Sequence, residues 1–308
     1  MNASIAVGLL AGTLGAMQAE RRAVVLTTDI GTEVDDQWTL AHLALSPEID
    51  LKGVVTTHAP NLAPPPAETS AKFAAELIAR LPARARPRVI AGSSRPLPDA
   101  SKPLANPGVD FLIEQAKGRA AENRLAVVVI GAATDVASAL IADPSWADRV
   151  TIVAMGFNAY PAGGDVWNVK NDPVAWRVLL DSRAPIVVGD SDLTRRVLRM
   201  TPDRAHTLLA TLPEPAPALL GRFDSWIAAN AKLAQSDTGS PIVWPIWDEV
   251  TTAYLLGLAK TESRPRPRLR DDLSFDLDHP RGTIEWVTAI DEGRLWTDLV
   301  TKIKAAAN

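Results

Sequence analysis

Asp29, Glu33, Asp35 and Asp36 fall within eight residues, directly after the apolar run Val24-Val25-Leu26. Carboxylates held this close repel one another, and the usual remedies are a raised pKa on some of them or a bound hard cation. The cluster contains no Cys or His, and donors that are all oxygen suit calcium or magnesium better than zinc. The plain alternative is that an Asp at a helix start is a cap or a first-turn acid. That reading covers Asp35 or Asp36 but leaves Asp29, on the far side of Gly31, unexplained.

The elements around the cluster say where such a site would lie. Residues 24–28 read as a strand, and Trp38, Leu40, Ala41, Leu43 and Ala44 recur at helical spacing. The loop past the carboxyl end of a parallel strand is where open α/β sheets bind ligands. The alternation continues with strands at 51–57, 88–91, 125–130, 150–155 and 185–188. Helices are expected over 67–81, from Thr134 or Asp135, and from Asp172-Pro173, where Asp caps and Pro tolerates the first position. Residues 201–233 read as mainly helical, broken at 213–217, and another helix follows Trp247-Asp248. Residues 264–268 read as a turn or linker, 269–277 and 283–289 as a strand pair joined at 280–282, and a last helix runs from Trp296. The pattern predicts an α/β fold: a single domain with a mostly parallel, mixed sheet flanked by helices.

Composition narrows the function. The 308 residues are 47% apolar, enough for a large core, and 32 basic against 36 acidic residues leave no electrostatic footprint for nucleic acid. The absence of Cys excludes disulfides, thiolate metal sites and a cysteine nucleophile. Residues 1–19 are apolar and rich in small residues, too short and Gly-rich for a membrane span. They resemble a secretory signal without a preceding basic residue, so residues 1–22 are read as a signal peptide or an N-terminal extension and 23–308 as the catalytic domain. A signal implies a periplasmic or secreted protein with no membrane association after processing; otherwise the chain is cytoplasmic.

The stretch Thr28-Asp29-Ile30-Gly31-Thr32-Glu33-Val34-Asp35-Asp36 resembles the aspartate-rich signature of the nucleoside hydrolases, the inosine-uridine-preferring nucleoside N-ribohydrolases. The resemblance continues in order through residues 55–61, 91–97 and 129–135, Met155-Gly156 with Trp167-Asn168 and Asp172-Pro173, and Pro245-Ile246-Trp247-Asp248. It implies a calcium ion held by Asp29, Asp36, the backbone carbonyl of Thr134 and Asp248, a list that suits calcium's taste for several oxygens. It implies Asp35 as the general base toward a water whose pKa the cation lowers. Asn61, Asn168 and Asn158 would bind the sugar, Trp247 and His58 would face the substrate, and the product would be free base and ribose. The resemblance also implies a homo-oligomer, a dimer or tetramer. Singly, Asp248 and Thr134 could be ordinary caps and the Asn residues loop formers; their joint placement at strand-to-helix switches sets them apart.

Four departures from the family pattern bear on substrate. Thr27 replaces a frequent Asp, and Val166 replaces a sugar-recognising Glu, with Asp165 one residue out of phase. Trp247 stands where several members carry a proton-donating His, and indole has no proton that titrates near neutrality. The loop Met155-Gly156-Phe157-Asn158 lacks a second Gly. Trp167, Trp226, Trp244 and Trp247 could form an aromatic wall or pack in the core. His42 reads as a surface or boundary residue, and His206 and His279 carry no site signal. Two other readings compete: a magnesium-dependent phosphatase of the haloacid-dehalogenase type, suggested by Asp29-Ile30-Gly31-Thr32 but lacking an acid at Thr27, and a non-catalytic calcium-dependent nucleoside or sugar receptor, against which Asp35 argues.

Overall fold

The computed structural model describes residues 21–164, 166–238, 242–278 and 280–307. The expected signal segment, apart from Arg21 and Arg22, and also Asp165 and His279 lie outside them. The first half of the chain runs β1 (Arg22–Thr28), α1 (Asp35–Leu45), β2 (Ile49–Thr56), α2 (Pro66–Ile78), β3 (Arg88–Ala91), α3 (Pro107–Gln115), β4 (Leu125–Ile130), α4 (Thr134–Ala142) and β5 (Val150–Met155). After these come α5 (Trp167–Lys170), α6 (Pro173–Asp181), β6 (Ile186–Gly189), α7 (Ser191–Val197), β7 (Arg199–Met200), α8 (Pro202–Leu209) and α9 (Ala216–Thr238). The last elements are β8 (Trp244–Pro245), α10 (Glu249–Leu255), β9 (Ala259–Pro265), β10 (Arg268–Leu269), β11 (Phe275–Asp276), β12 (Thr283–Ile290) and α11 (Glu292–Ala306).

Eight strands form one sheet in the order β3-β2-β1-β4-β5-β6-β12-β9. All neighbours are parallel except β9 against β12. Alternate residues of the central strands feed two cores, one on each face: Val24, Leu26 and Val128 on one side, Val25, Val127 and Val129 on the other. Burial on both faces is why these strands read as unbroken apolar runs rather than as alternation. The chain leaves β1 toward β2 on one side and returns to β4 on the other, so β1 and β4 flank the topological switch point, where their carboxyl ends open a crevice.

Three expectations about the last third are corrected. Residues 283–289 do not pair with 269–277: β12 lies between β6 and β9, and the intervening segment forms only the two-stranded β10-β11 ribbon. Arg264 and Pro265 are not a linker but the end of β9, an edge strand whose sequence Ala-Lys-Thr-Glu-Ser-Arg-Pro is charged and Pro-terminated. Such residues guard sheet edges, and they hide the strand from a search for apolar runs. The final helix begins four residues before Trp296, capped by the Asp291 side chain, which accepts from the Arg294 amide at 3.1 Å. Among the described residues no helix is long and apolar enough to cross a membrane.

The switch point leaves no room for a side chain at Gly131. A Cβ there would sit 2.7 Å from the Asp29 amide nitrogen and 3.0 Å from the Thr28 carbonyl carbon, atoms of backbone that cannot swing aside. Gly131→Ala is therefore expected to cost about 1–3 kcal/mol, the usual range for overpacking, measured as a shift in the urea midpoint at constant slope; an unchanged midpoint would mean the two strand ends are not locked together.

Candidate metal centre

The end of β1 delivers Asp29, and the turn through Gly31, at φ 110°, carries the chain to α1, whose first two residues are Asp35 and Asp36. Neither the residue before α1 nor Asp248, before α10, caps its helix with a side-chain hydrogen bond. Asp248 is thus not spent as a cap. One oxygen from each of Asp35, Asp36 and Asp248 lies within 4.8 Å of the other two, and all three residues are buried. Asp29 stands beside this triad and interacts electrostatically with each member.

Burial pushes all four carboxyls up, and mutual repulsion adds to it for Asp29, Asp36 and Asp248: Asp29 rises to about 7 and Asp35 to about 6, while Asp36 and Asp248 lie well above the ordinary carboxylate range. Hydrogen bonds oppose the rise. The Trp167 indole donates to Asp29 Oδ2 at 2.9 Å, and the Thr28 hydroxyl donates to Asp36. A group of buried acids that resists ionisation has the donor chemistry of a hard-cation site.

A cavity of about 380 Å³ opens onto the cluster. Asn158, Asn168 and Trp247 line it; Asn61 and His58 do not. Asn61 is exposed on its loop. His58 is buried behind Thr134: the Thr134 hydroxyl donates to Asp172 Oδ2 at 2.6 Å, so the His58 ring nitrogen 2.9 Å away must be the donor to Thr134 Oγ1. Burial holds the His58 pKa below its ordinary value. Thr134 itself is fully buried at the first turn of α4.

The departures noted in the sequence acquire physical content. Thr27 points away from the acids and donates to the Val128 carbonyl at 3.0 Å, tying β1 to β4. Val166 lines the cavity as an apolar wall. Phe157 adopts φ 68°, a conformation that favours glycine, and its ring is fixed between Trp176 and Phe275 at centroid distances of 4.8 and 4.6 Å. Packing there supplies what the missing Gly would otherwise permit. Asn158 follows directly, and its Oδ1 accepts from Ser191 Oγ at 3.2 Å.

Of the tryptophans, Trp167, Trp244 and Trp247 line the cavity, while Trp226 packs against Trp244 from behind at 4.4 Å between centroids. Trp244 also donates to Glu33 Oε2 at 3.1 Å. Sequence reasoning missed Lys170, Ser191 and Arg195, which share the lining. Ser191 was within reach, because it follows β6 at the same edge as the other site loops; Arg195, one turn further, carries no such mark.

A model of the family described as inosine-uridine preferring nucleoside hydrolase matches residues 24–299. The chain belongs to that family. It is a distant member: the probable uridine nucleosidase 2 of Arabidopsis thaliana is 25% identical over 209 residues, which span 60% of this chain and 64% of that protein, just under two thirds. Among solved structures, the purine-preferring ribonucleoside hydrolase from Gardnerella vaginalis superposes with a TM-score of 0.73 at 20% identity, covering 93% of this chain and 99% of that one. The inosine-uridine preferring nucleoside hydrolase from Bacillus anthracis gives 0.64 at 18% identity over 92% and 99%. At such identities the superpositions speak for the fold, an eight-stranded mixed sheet of the nucleoside hydrolase kind. The haloacid-dehalogenase resemblance gives way to the family match.

The raised carboxyls make stability depend on pH and cation together. With its folded pKa at about 7 against an ordinary 3.8, Asp29 binds its proton more tightly in the folded chain. The stability this confers is full below pH 3.8 and is lost as pH rises through about 7. In chelator the melting temperature is therefore expected to fall between about pH 5 and pH 8, and saturating calcium to raise it more at the higher pH, as followed by circular dichroism. An equal calcium shift at both values would show that the acids do not exchange protons for the ion.

Proposed function

We propose that this chain hydrolyses the N-glycosidic bond of a ribonucleoside or similar N-riboside, releasing base and ribose, with calcium at the carboxylate cluster. What supports the reading most is the meeting of Asp35, Asp36 and Asp248, contributed by distant parts of a nucleoside hydrolase chain, within 4.8 Å and out of bulk solvent. Asp29, Asp36, Asp248 and the Thr134 carbonyl would hold the cation. When bound, it would lower the pKa of a water molecule and anchor the ribose hydroxyls.

The chain's own residues do the rest. Asp35, buried against Asp36 and Asp248, accepts a proton from the attacking water. The fixed carboxylates favour the positive charge that develops on the sugar ring as the bond to the base lengthens. Trp167 keeps Asp29 oriented through its indole N–H. Asn158 and Asn168 present amides to the sugar, and Trp244 and Trp247 offer faces on which a base stacks. No histidine is among the described lining residues, so the base departs against aromatic faces rather than a titrating imidazole.

Incubating the purified protein with a panel of purine and pyrimidine nucleosides, and measuring reducing sugar with and without chelator, tests the proposal. Calcium-dependent release is expected, and Asp35→Asn should lower kcat by at least about a hundredfold, the usual worth of a positioned base. Calcium binding without cleavage of any nucleoside would favour a receptor instead, a role to which Val166 and Trp247 would be suited.

A further inference from the structure

His42 corrects the sequence reading most sharply: it is fully buried, not a surface residue. Nδ1 lies 3.0 and 3.2 Å from the two oxygens of Glu249, itself fully buried, and Nε2 lies 2.8 Å from Asp298 Oδ2. Both ring nitrogens face carboxylate oxygens, a geometry that suits a ring donating from both. Lys302, one turn along α11 from Asp298, completes the group with contacts to Asp298 at 2.6 Å, Glu48 at 3.1 Å and Ser46 Oγ at 2.8 Å. Burial alone would push the His42 pKa down, but the Glu249 charge and the ring's hydrogen bonds to both carboxylates outweigh it and hold the pKa above its ordinary value.

Two helix geometries connect this group to the acids. His42 lies seven residues after Asp35 on α1, almost two full turns, so the two side chains share one face about 10 Å apart along the axis. Glu249 follows Asp248 directly at the start of α10. The α1–α10 contact thus carries both features: on α1, Asp35 and His42 lie about two turns apart, while on α10 their partners Asp248 and Glu249 are adjacent. A charged pair this deep is a poor way to gain stability, since an apolar pair of similar volume often serves as well or better. What it adds over an apolar pair is a directional contact that fixes the rotation and height of one helix against the other.

We propose that the His42–Glu249 pair is a positioning clamp, which sets α10 against α1 so that Asp248 meets Asp35 and Asp36 at a single point. The pair touches neither substrate nor cation; it acts through the backbone of Asp248. The inference rests on the metal-site reading above and is separable from it, because wild-type calcium binding is the control.

The test compares the wild type with His42→Gln and with the apolar pair His42→Leu/Glu249→Met, using calcium titration calorimetry on the protein without substrate, thermal melts and nucleoside kinetics. Expected are a folded double variant with a melting temperature near the wild type's, calcium affinity at least about tenfold weaker in both variants, and a lower kcat at saturating calcium with KM little changed. Folded variants that bind calcium as the wild type does would overturn the clamp, and unfolding of every variant would assign the pair to stability alone. A wild type that binds no calcium would instead refute the metal site on which the inference stands.

Discussion

Buried like charges want to separate, and this molecule holds four of them together. The cost of confining Asp29, Asp35, Asp36 and Asp248 shows in carboxyls that keep their protons to unusually high pH. Nothing in the local sequence compels that arrangement. It follows from a parallel sheet whose β1 and β4 part at the switch point, with α10 brought back from the far end of the chain to close the third side. Remove the attraction of a cation, and the cluster is an electrostatic liability that the surrounding packing must restrain.

The restraint is visible in layers. Thr28 and Trp167 donate directly to the acids, Thr27 and Gly131 lock the two strand ends together, and the His58–Thr134–Asp172 chain fixes the first turn of α4. Phe157 accepts an unfavourable backbone conformation in exchange for an aromatic socket, which orients the loop bearing Asn158. These supports are spread over elements far apart in sequence.

Much of this was legible beforehand because the signals were local. Six-residue runs, wholly apolar in β4 and apolar but for Thr151 in β5, marked those strands to the residue, and Asp172-Pro173 marked the start of α6. The density of acids in the first loop pointed to a carboxylate cluster that could hold a cation, and Asp35 and Asp36 do meet Asp248 there. Harder to read were features whose meaning is set by partners: β9 wears the charges of a guarded edge, and β12 belongs to strands distant in sequence rather than to its neighbour. His42 is the clearest case. A histidine on α1 gives no hint that two carboxylates from two other helices wait on either side of it, and His58 and Asn61 show the converse, residues in a matching loop that are not among those lining the cavity.

The central claim is that one cation resides where these acids meet. Crystals soaked in manganese, a hard divalent ion with a usable anomalous signal, answer it directly. A single strong anomalous peak is expected within about 2.0–2.6 Å of oxygens from Asp36 and Asp248, the range of hard-cation bonds. Manganese found only elsewhere on the protein, with the carboxyls of Asp35, Asp36 and Asp248 paired through shared protons, would contradict it.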